Sequence, residues 1–133
     1  IAFGHVALDE FDRFFCNFLT KTLPSVLKKD DPLPFVIEGD ATQLPNLLPA
    51  NYIGQVDIVF SVIPLMYLPN AARKAIIEAA FQVLKPGGII IHVTYSAKSP
   101  VGFMTDLEQN RFGKLWVNFP PGFVWHYQKK APV

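Results

Sequence analysis

Apolar residues recur along this chain in two alternating rhythms, one of period two and one of helical period. Short β-type runs at His5 to Asp9, Phe35 to Glu38, Val56 to Val62 and Ile89 to Tyr95 are separated by stretches with helical spacing. Asp12 can cap a helix over Arg13 to about Leu23, which carries Phe14, Phe15, Phe18 and Leu19 on one face before Pro24 disturbs its end. Thr42 to Leu48 is expected to make one or two helical turns ahead of Pro49. The clearest helix is predicted from a cap at Asn70 to Leu84, because Ile76, Ile77, Ala80, Phe81 and Leu84 form one stripe. Lys85-Pro86-Gly87-Gly88 stops it, since proline cannot continue a helix and glycine accepts a left-handed turn. Val56 to Val62 is nearly all apolar, the pattern of a central parallel strand covered on both faces. Gly113 to Phe119 and Phe123 to Lys129 read as an antiparallel pair at one edge, joined through Pro120-Pro121-Gly122. The elements add up to an α/β fold with a parallel sheet and an antiparallel C-terminal edge hairpin.

At 133 residues the chain suits a single domain, 1–133, with no internal repeat and no linker to divide it. Half of the residues are apolar and 17% are charged, which excludes disordered and collagen-like classes. The longest uncharged apolar run, Ile58 to Leu68, is broken by Pro64 and falls short of the ~20 residues of a membrane-spanning helix. A single cysteine, Cys16, excludes an internal disulfide and a Cys-rich metal site, so a reducing, cytoplasmic setting is expected. Because the chain opens on Ile1 with neither methionine nor a leader pattern, a segment upstream is expected. The charges are uneven: residues 1–66 hold eight acids and four bases, residues 67–133 three acids and eight bases. Such asymmetry suits one face meeting an anionic surface, and equally a solvated surface of uneven composition.

In an open α/β sheet, ligands bind beyond the carboxyl ends of the strands. Those positions are Asp9-Glu10-Phe11, Gly39-Asp40-Ala41, Ser61-Val62-Ile63-Pro64 and Thr94-Tyr95. An acid after one strand can hold ribose hydroxyls, and an acid followed by a free amide can hold an adenine edge; together they suggest an adenosine site. Either acid alone serves as readily as a helix cap or a turn residue. His92, in the middle of an apolar run, suits a hydrogen-bonded core position better than a catalytic base, and His5 and His126 have weaker cases. No His, Cys or carboxylate group has metal-ligand spacing. Tyr67 and Tyr95 follow strand ends, where aromatic faces can hold an ammonium group or simply pack. Arg73 and Lys74 stand in the first turn of a helix, where cations oppose its dipole; an anionic partner such as a lipid phosphate accounts for them, as does a tolerant surface. For Trp116, Phe123 and Trp125, burial against the sheet is favoured over anchoring at a membrane interface.

Two of these segments carry a family resemblance. Val83-Leu84-Lys85-Pro86-Gly87-Gly88 resembles the helix-to-strand turn of class I S-adenosylmethionine-dependent methyltransferases, and Glu38-Gly39-Asp40-Ala41 resembles their adenine-binding segment. More narrowly, Ser61 to Pro69, the helix near Arg73, Thr94-Tyr95-Ser96, Ser99-Pro100 and Phe119 to Trp125 resemble the bacterial phospholipid N-methyltransferases, relatives of the rRNA adenine dimethylases. The resemblance implies a Rossmann-like class I methyltransferase sheet that uses S-adenosyl-L-methionine to methylate a phospholipid amine, phosphatidylethanolamine, at an anionic membrane surface from the cytoplasmic side. It implies Glu10 on the ribose with Phe11 packed on the adenine, Asp40 and the Ala41 amide on the adenine edge, and Ser61 near the methionine part and the reacting centre with Tyr67. Tyr67, Arg73, Lys74 and Tyr95 are then the acceptor contacts. The family's glycine-rich first turn and the strand before it are missing from the sequence, so an open lane is expected between the strands at His5 to Asp9 and Val56 to Val62. Two rivals stand beside this reading, an RNA adenine N6-dimethyltransferase and a non-enzymatic Rossmann-like binding module. Nucleobase enzymes typically carry Asn or Asp at the start of the post-strand proline motif, whereas this chain has Ser61, with Ile63 before Pro64, which argues against a nucleic-acid substrate.

Overall fold

A computed structural model describes Lys21, Ile37, residues 39–115 and residues 122–131. The strand expected at His5 to Asp9, the open lane beside it, most of the Arg13 to Leu23 helix and of the Phe35 to Glu38 strand, and Trp116 lie outside the described residues, as do Glu10 and Phe11.

A 3-10 turn at Ala41–Gln43 runs into the short helix α1 (Leu44–Leu47), and a second turn at Ala50–Tyr52 leads to strand β1 (Val56–Ser61). A third turn, Leu65–Tyr67, precedes helix α2 (Asn70–Val83), which passes directly into β2 (Leu84–Thr94). Strands β3 (Leu107–Leu115) and β4 (Gly122–Lys129) complete a four-stranded sheet of order β1-β2-β4-β3. β1 and β2 are parallel, and β4 is antiparallel to both β2 and β3. The last strand thus inserts between β2 and β3, leaving β3 at the edge.

The predicted helix is present, with its start corrected: Pro69, extended at ψ 153°, occupies the cap position, and Asn70 is already helical. Proline suits this boundary because it needs no amide partner where the helix leaves its first N–H groups unpaired. The helix buries Ile76, Ile77, Ala80 and Phe81 as its apolar stripe requires, and Ala79 and Val83 besides. Each fully buried isoleucine contributes about 1.5–3 kcal/mol relative to exposure.

The predicted strand at Ile89 begins earlier, at Leu84, because Leu84 pairs with Val56 before the ladder resumes at Ile58 opposite Ile89. Lys85, Pro86, Gly87 and Gly88 form the bulge between those pairs. Gly87 takes φ +79°, and a Cβ on Gly88 would stand 2.9 Å from the Lys85 carbonyl oxygen, so both bulge positions call for glycine.

The register sets rows across the sheet. Val59, Ile90, Tyr127 and Gln109 form one row, and Ser61, His92, Trp125 and Arg111 the next. Thr94, Phe123 and Lys114 follow at the carboxyl end of β2. Val59, Ile90 and Tyr127 belong to the core with α2, Leu65, Val101 and Met104. Phe123 is buried and Trp125 packs partly buried against the core, in keeping with burial against the sheet. On the opposite face of β1, Ile58 and Phe60 are each 46% exposed, and no described element packs on them.

Candidate functional site

The carboxyl end of β1 is built around Ser61. Its Oγ lies 3.2 Å from Nδ1 of His92, directly across the ladder, and accepts a 3.4 Å bond from the Ile63 N–H. His92 is fully buried, and its Nε2 has no hydrogen-bond partner among the described residues. Burial lowers its pKa from 6.5 to about 4, an effect only partly offset by its hydrogen bond to Ser61. His92 is therefore the neutral core histidine the sequence suggests, holding the serine hydroxyl in place. Pro64 then forms an inverse γ-turn (φ −75°, ψ 69°), with the Leu65 N–H donating to the Ile63 carbonyl at 2.7 Å. This tight turn ends the strand and exposes the segment that follows.

Asp40 and Ala41 stand beside this edge. Asp40 Oδ1 accepts from the Thr42 amide at 2.8 Å and the Thr42 hydroxyl at 2.9 Å, so the carboxylate caps the turn. Its Oδ2 has no partner among the described residues, and the Ala41 amide opens the turn, where no helical acceptor exists for it. An acceptor oxygen next to an N–H with no acceptor among the described residues matches the amino donor and ring-nitrogen acceptor of an adenine edge. Ala41 and Ser61 line one small pocket of about 30 Å³ with Ile63 and Ile76, which joins this turn to the end of β1.

A larger cleft of about 330 Å³ opens beyond β1 and β2. It is lined by Val62, Pro64, Met66 and Tyr67 on one side and by Val93, Thr94, Tyr95 and Ser96 on the other. Tyr67 and Tyr95, singled out separately in the sequence, meet here, 88% and 68% exposed. Met66 and Ser96 lie within the segments that carry the resemblance but are given no role by it; their position in the cleft follows from adjacency to Tyr67 and Tyr95.

The two cations of the α2 first turn part company. Lys74 is exposed and pairs with Glu78 one turn on, at 3.6 Å. Arg73, expected as an anion contact, turns inward. Its Nε, Nη1 and Nη2 donate to the carbonyls of Leu68, Pro100 and Met66, each at 2.8 Å. These bonds offset the cost of a cation at a helix N-terminus.

The loop after β2 is fastened from below. Tyr127 OH lies 3.0 Å from Ser99 Oγ, which donates to Gln109 Oε1 at 2.6 Å, while Gln109 Nε2 donates to the Val101 and Met104 carbonyls at 3.0 Å. Burial raises the Tyr127 phenol to about 12, against the opposing effect of Ser99.

Residues 16–92 match a family described as a methyltransferase domain. The chain belongs to that family. Its α/β sheet is the Rossmann-like sheet of the class I methyltransferases, and these methyltransferases use S-adenosylmethionine. No curated protein matches the methyltransferase. Among its described residues, no cluster of His, Cys, Asp and Glu could hold a metal ion, and no helix is long and apolar enough to cross a membrane.

Proposed function

We propose that this methyltransferase transfers a methyl group from S-adenosylmethionine to the amine of a phospholipid, phosphatidylethanolamine, at an anionic membrane surface. The observation that carries the reading is the cleft beyond β1 and β2, where Tyr67 and Tyr95 offer two exposed aromatic faces to one apolar opening. Such faces attract an ammonium group by about 0.5–2 kcal/mol. The basic side chains around this end of the sheet support it further. Lys74, Lys98, Arg111 and Lys114 are all exposed, and Lys114 is level with Thr94 where β2 ends. At the opposite end the acids Asp57, Asp106 and Glu108 are balanced by Lys85, Lys129 and Lys130.

When bound, S-adenosylmethionine would supply a methyl group on a sulfonium sulfur: the acceptor ammonium would first release a proton to water, and the neutral amine would then take the methyl group as the C–S electron pair leaves with S-adenosylhomocysteine, giving the methylated ammonium. Asp40 and the Ala41 amide hold the adenine edge, Glu10 and Phe11 complete the adenosine site, and Ser61 stands at the reacting centre. Tyr67 and Tyr95 would orient the amine beside the apolar surface of Val62, Pro64 and Met66. Orientation and desolvation supply most of the catalysis available to such a reaction, which requires no protein nucleophile.

The RNA reading has the same basic rim in its favour, and Ser61 and Ile63 before Pro64 against it. The test is label transfer from S-adenosylmethionine tritiated in its methyl group. The full-length protein should label phosphatidylethanolamine in vesicles that also contain phosphatidylglycerol, and should leave a structured RNA unlabelled. It should sediment with those vesicles at low salt and release at high salt. Lys74→Glu with Lys98→Glu should weaken sedimentation by ~1 kcal/mol per residue without changing cofactor affinity. Labelled RNA with unlabelled lipid refutes the assignment.

A further inference from the structure

Tyr67 has 88% of its surface exposed, so packing does not set its position. What holds it is the backbone on either side. The Met66 carbonyl before it and the Leu68 carbonyl after it both accept from Arg73, through Nη2 and Nε. The third nitrogen of the same guanidinium reaches the Pro100 carbonyl in the loop after β2, whose far side is pinned by Ser99, Gln109 and Tyr127. Among the described residues no other hydrogen bond joins the two loops. A planar fork of fixed donors is what such a three-way tie requires, and lysine, a point charge on a flexible stem, cannot reproduce it.

We propose that Arg73 is the positioning residue of the acceptor cleft: by bracketing Tyr67 and tying its loop to Pro100, it sets the width of the opening and the point from which the aromatic side chain reaches the amine. The inference rests on the cleft being the acceptor site. The charge of Arg73 is directed onto carbonyl oxygens through all three guanidinium nitrogens.

The experiment is a double-mutant cycle on Arg73 and Tyr67 in the full-length protein. It is read as KM and kcat for mixed phosphatidylethanolamine and phosphatidylglycerol vesicles, with S-adenosylmethionine affinity and thermal midpoint measured alongside. Arg73→Met should raise the acceptor KM about ten-fold, the effect of losing bonds to a charged group, and leave cofactor affinity unchanged. Arg73→Lys should be impaired to the same extent although it retains the charge. Adding Arg73→Met to Tyr67→Ala should cost clearly less than it does in the wild type, because most of either effect falls on the same positioned ring. Guanidinium ion in the buffer should restore part of the activity of Arg73→Met and none of that of Tyr67→Ala. If Arg73→Met fails to fold, Arg73→Lys, which retains the half-buried stem, carries the same comparison. Wild-type KM in Arg73→Lys, or additive effects in the double variant, overturns the inference and makes Arg73 an independent contact. An unchanged KM in Tyr67→Ala overturns the cleft reading itself, and the inference with it.

Discussion

Acidification should destabilise this domain through His92. The imidazole is fully buried, with Ser61 at 3.2 Å as its one hydrogen-bond partner among the described residues, and protonates in the folded state only near pH 4. In the unfolded chain it takes up its proton near 6.5. Between those values the unfolded state binds more protons, so the contribution is complete above pH 6.5 and is lost as the pH falls toward 4. At about 1.4 kcal/mol per pH unit, the loss across the window reaches about 3 kcal/mol, a sizeable part of the 5–15 kcal/mol typical of a whole domain. The thermal midpoint should drop on the order of 10 °C from this group alone. Urea unfolding followed from neutral pH down through 4, in the wild type and in His92→Gln, isolates the effect, because the carboxylates that titrate nearby are common to both. The difference between the two stability curves should slope across the window and flatten above 6.5. Parallel curves would refute the assignment of His92 as a buried neutral group.

Asp40→Ala should weaken S-adenosylmethionine binding by about 1–3 kcal/mol in calorimetry, at a further cost of about 1 kcal/mol in stability for the lost cap on Thr42; unchanged affinity would exclude Asp40 from the cofactor site. Gly88→Ala should destabilise the fold by about 1–3 kcal/mol in urea unfolding, because its new Cβ would meet the Lys85 carbonyl at 2.9 Å; a neutral effect would mean that the bulge relaxes freely.

The parts of the fold legible in the sequence were those where the apolar pattern and the burial coincide. The α2 stripe of Ile76, Ile77, Ala80 and Phe81 is one, and the end of β1 is another. β3 was harder, since its start at Leu107 lies well before the predicted Gly113. The reason is visible at Gln109, which shares a row with Ile90 and Tyr127 but satisfies the loop carbonyls instead of packing as a hydrophobe. A polar residue at an inward position breaks the alternation that marks a strand. The proline of Lys85-Pro86-Gly87-Gly88 read as a boundary, whereas the Leu84 pair with Val56 carries the strand through a bulge. Ser61, Tyr67 and Tyr95 do stand at or after the ends of β1 and β2, as the post-strand rule expects, because strand ends are local features. The role of Arg73 was not legible, since its decisive bond spans 27 residues to a backbone carbonyl that no side-chain pattern announces.

The most direct test of the account is backbone hydrogen exchange in the full-length protein with and without S-adenosylmethionine. Slowed exchange is predicted at Gly39 to Thr42 and at Val62 and Ile63, where the adenine edge and the reacting centre are assigned. The far end of the sheet, around Lys85 to Gly88 and Lys129, should exchange as before. Protection confined to that far end, with Ala41 and Ile63 unaffected, would contradict a cofactor site at the carboxyl ends of the strands.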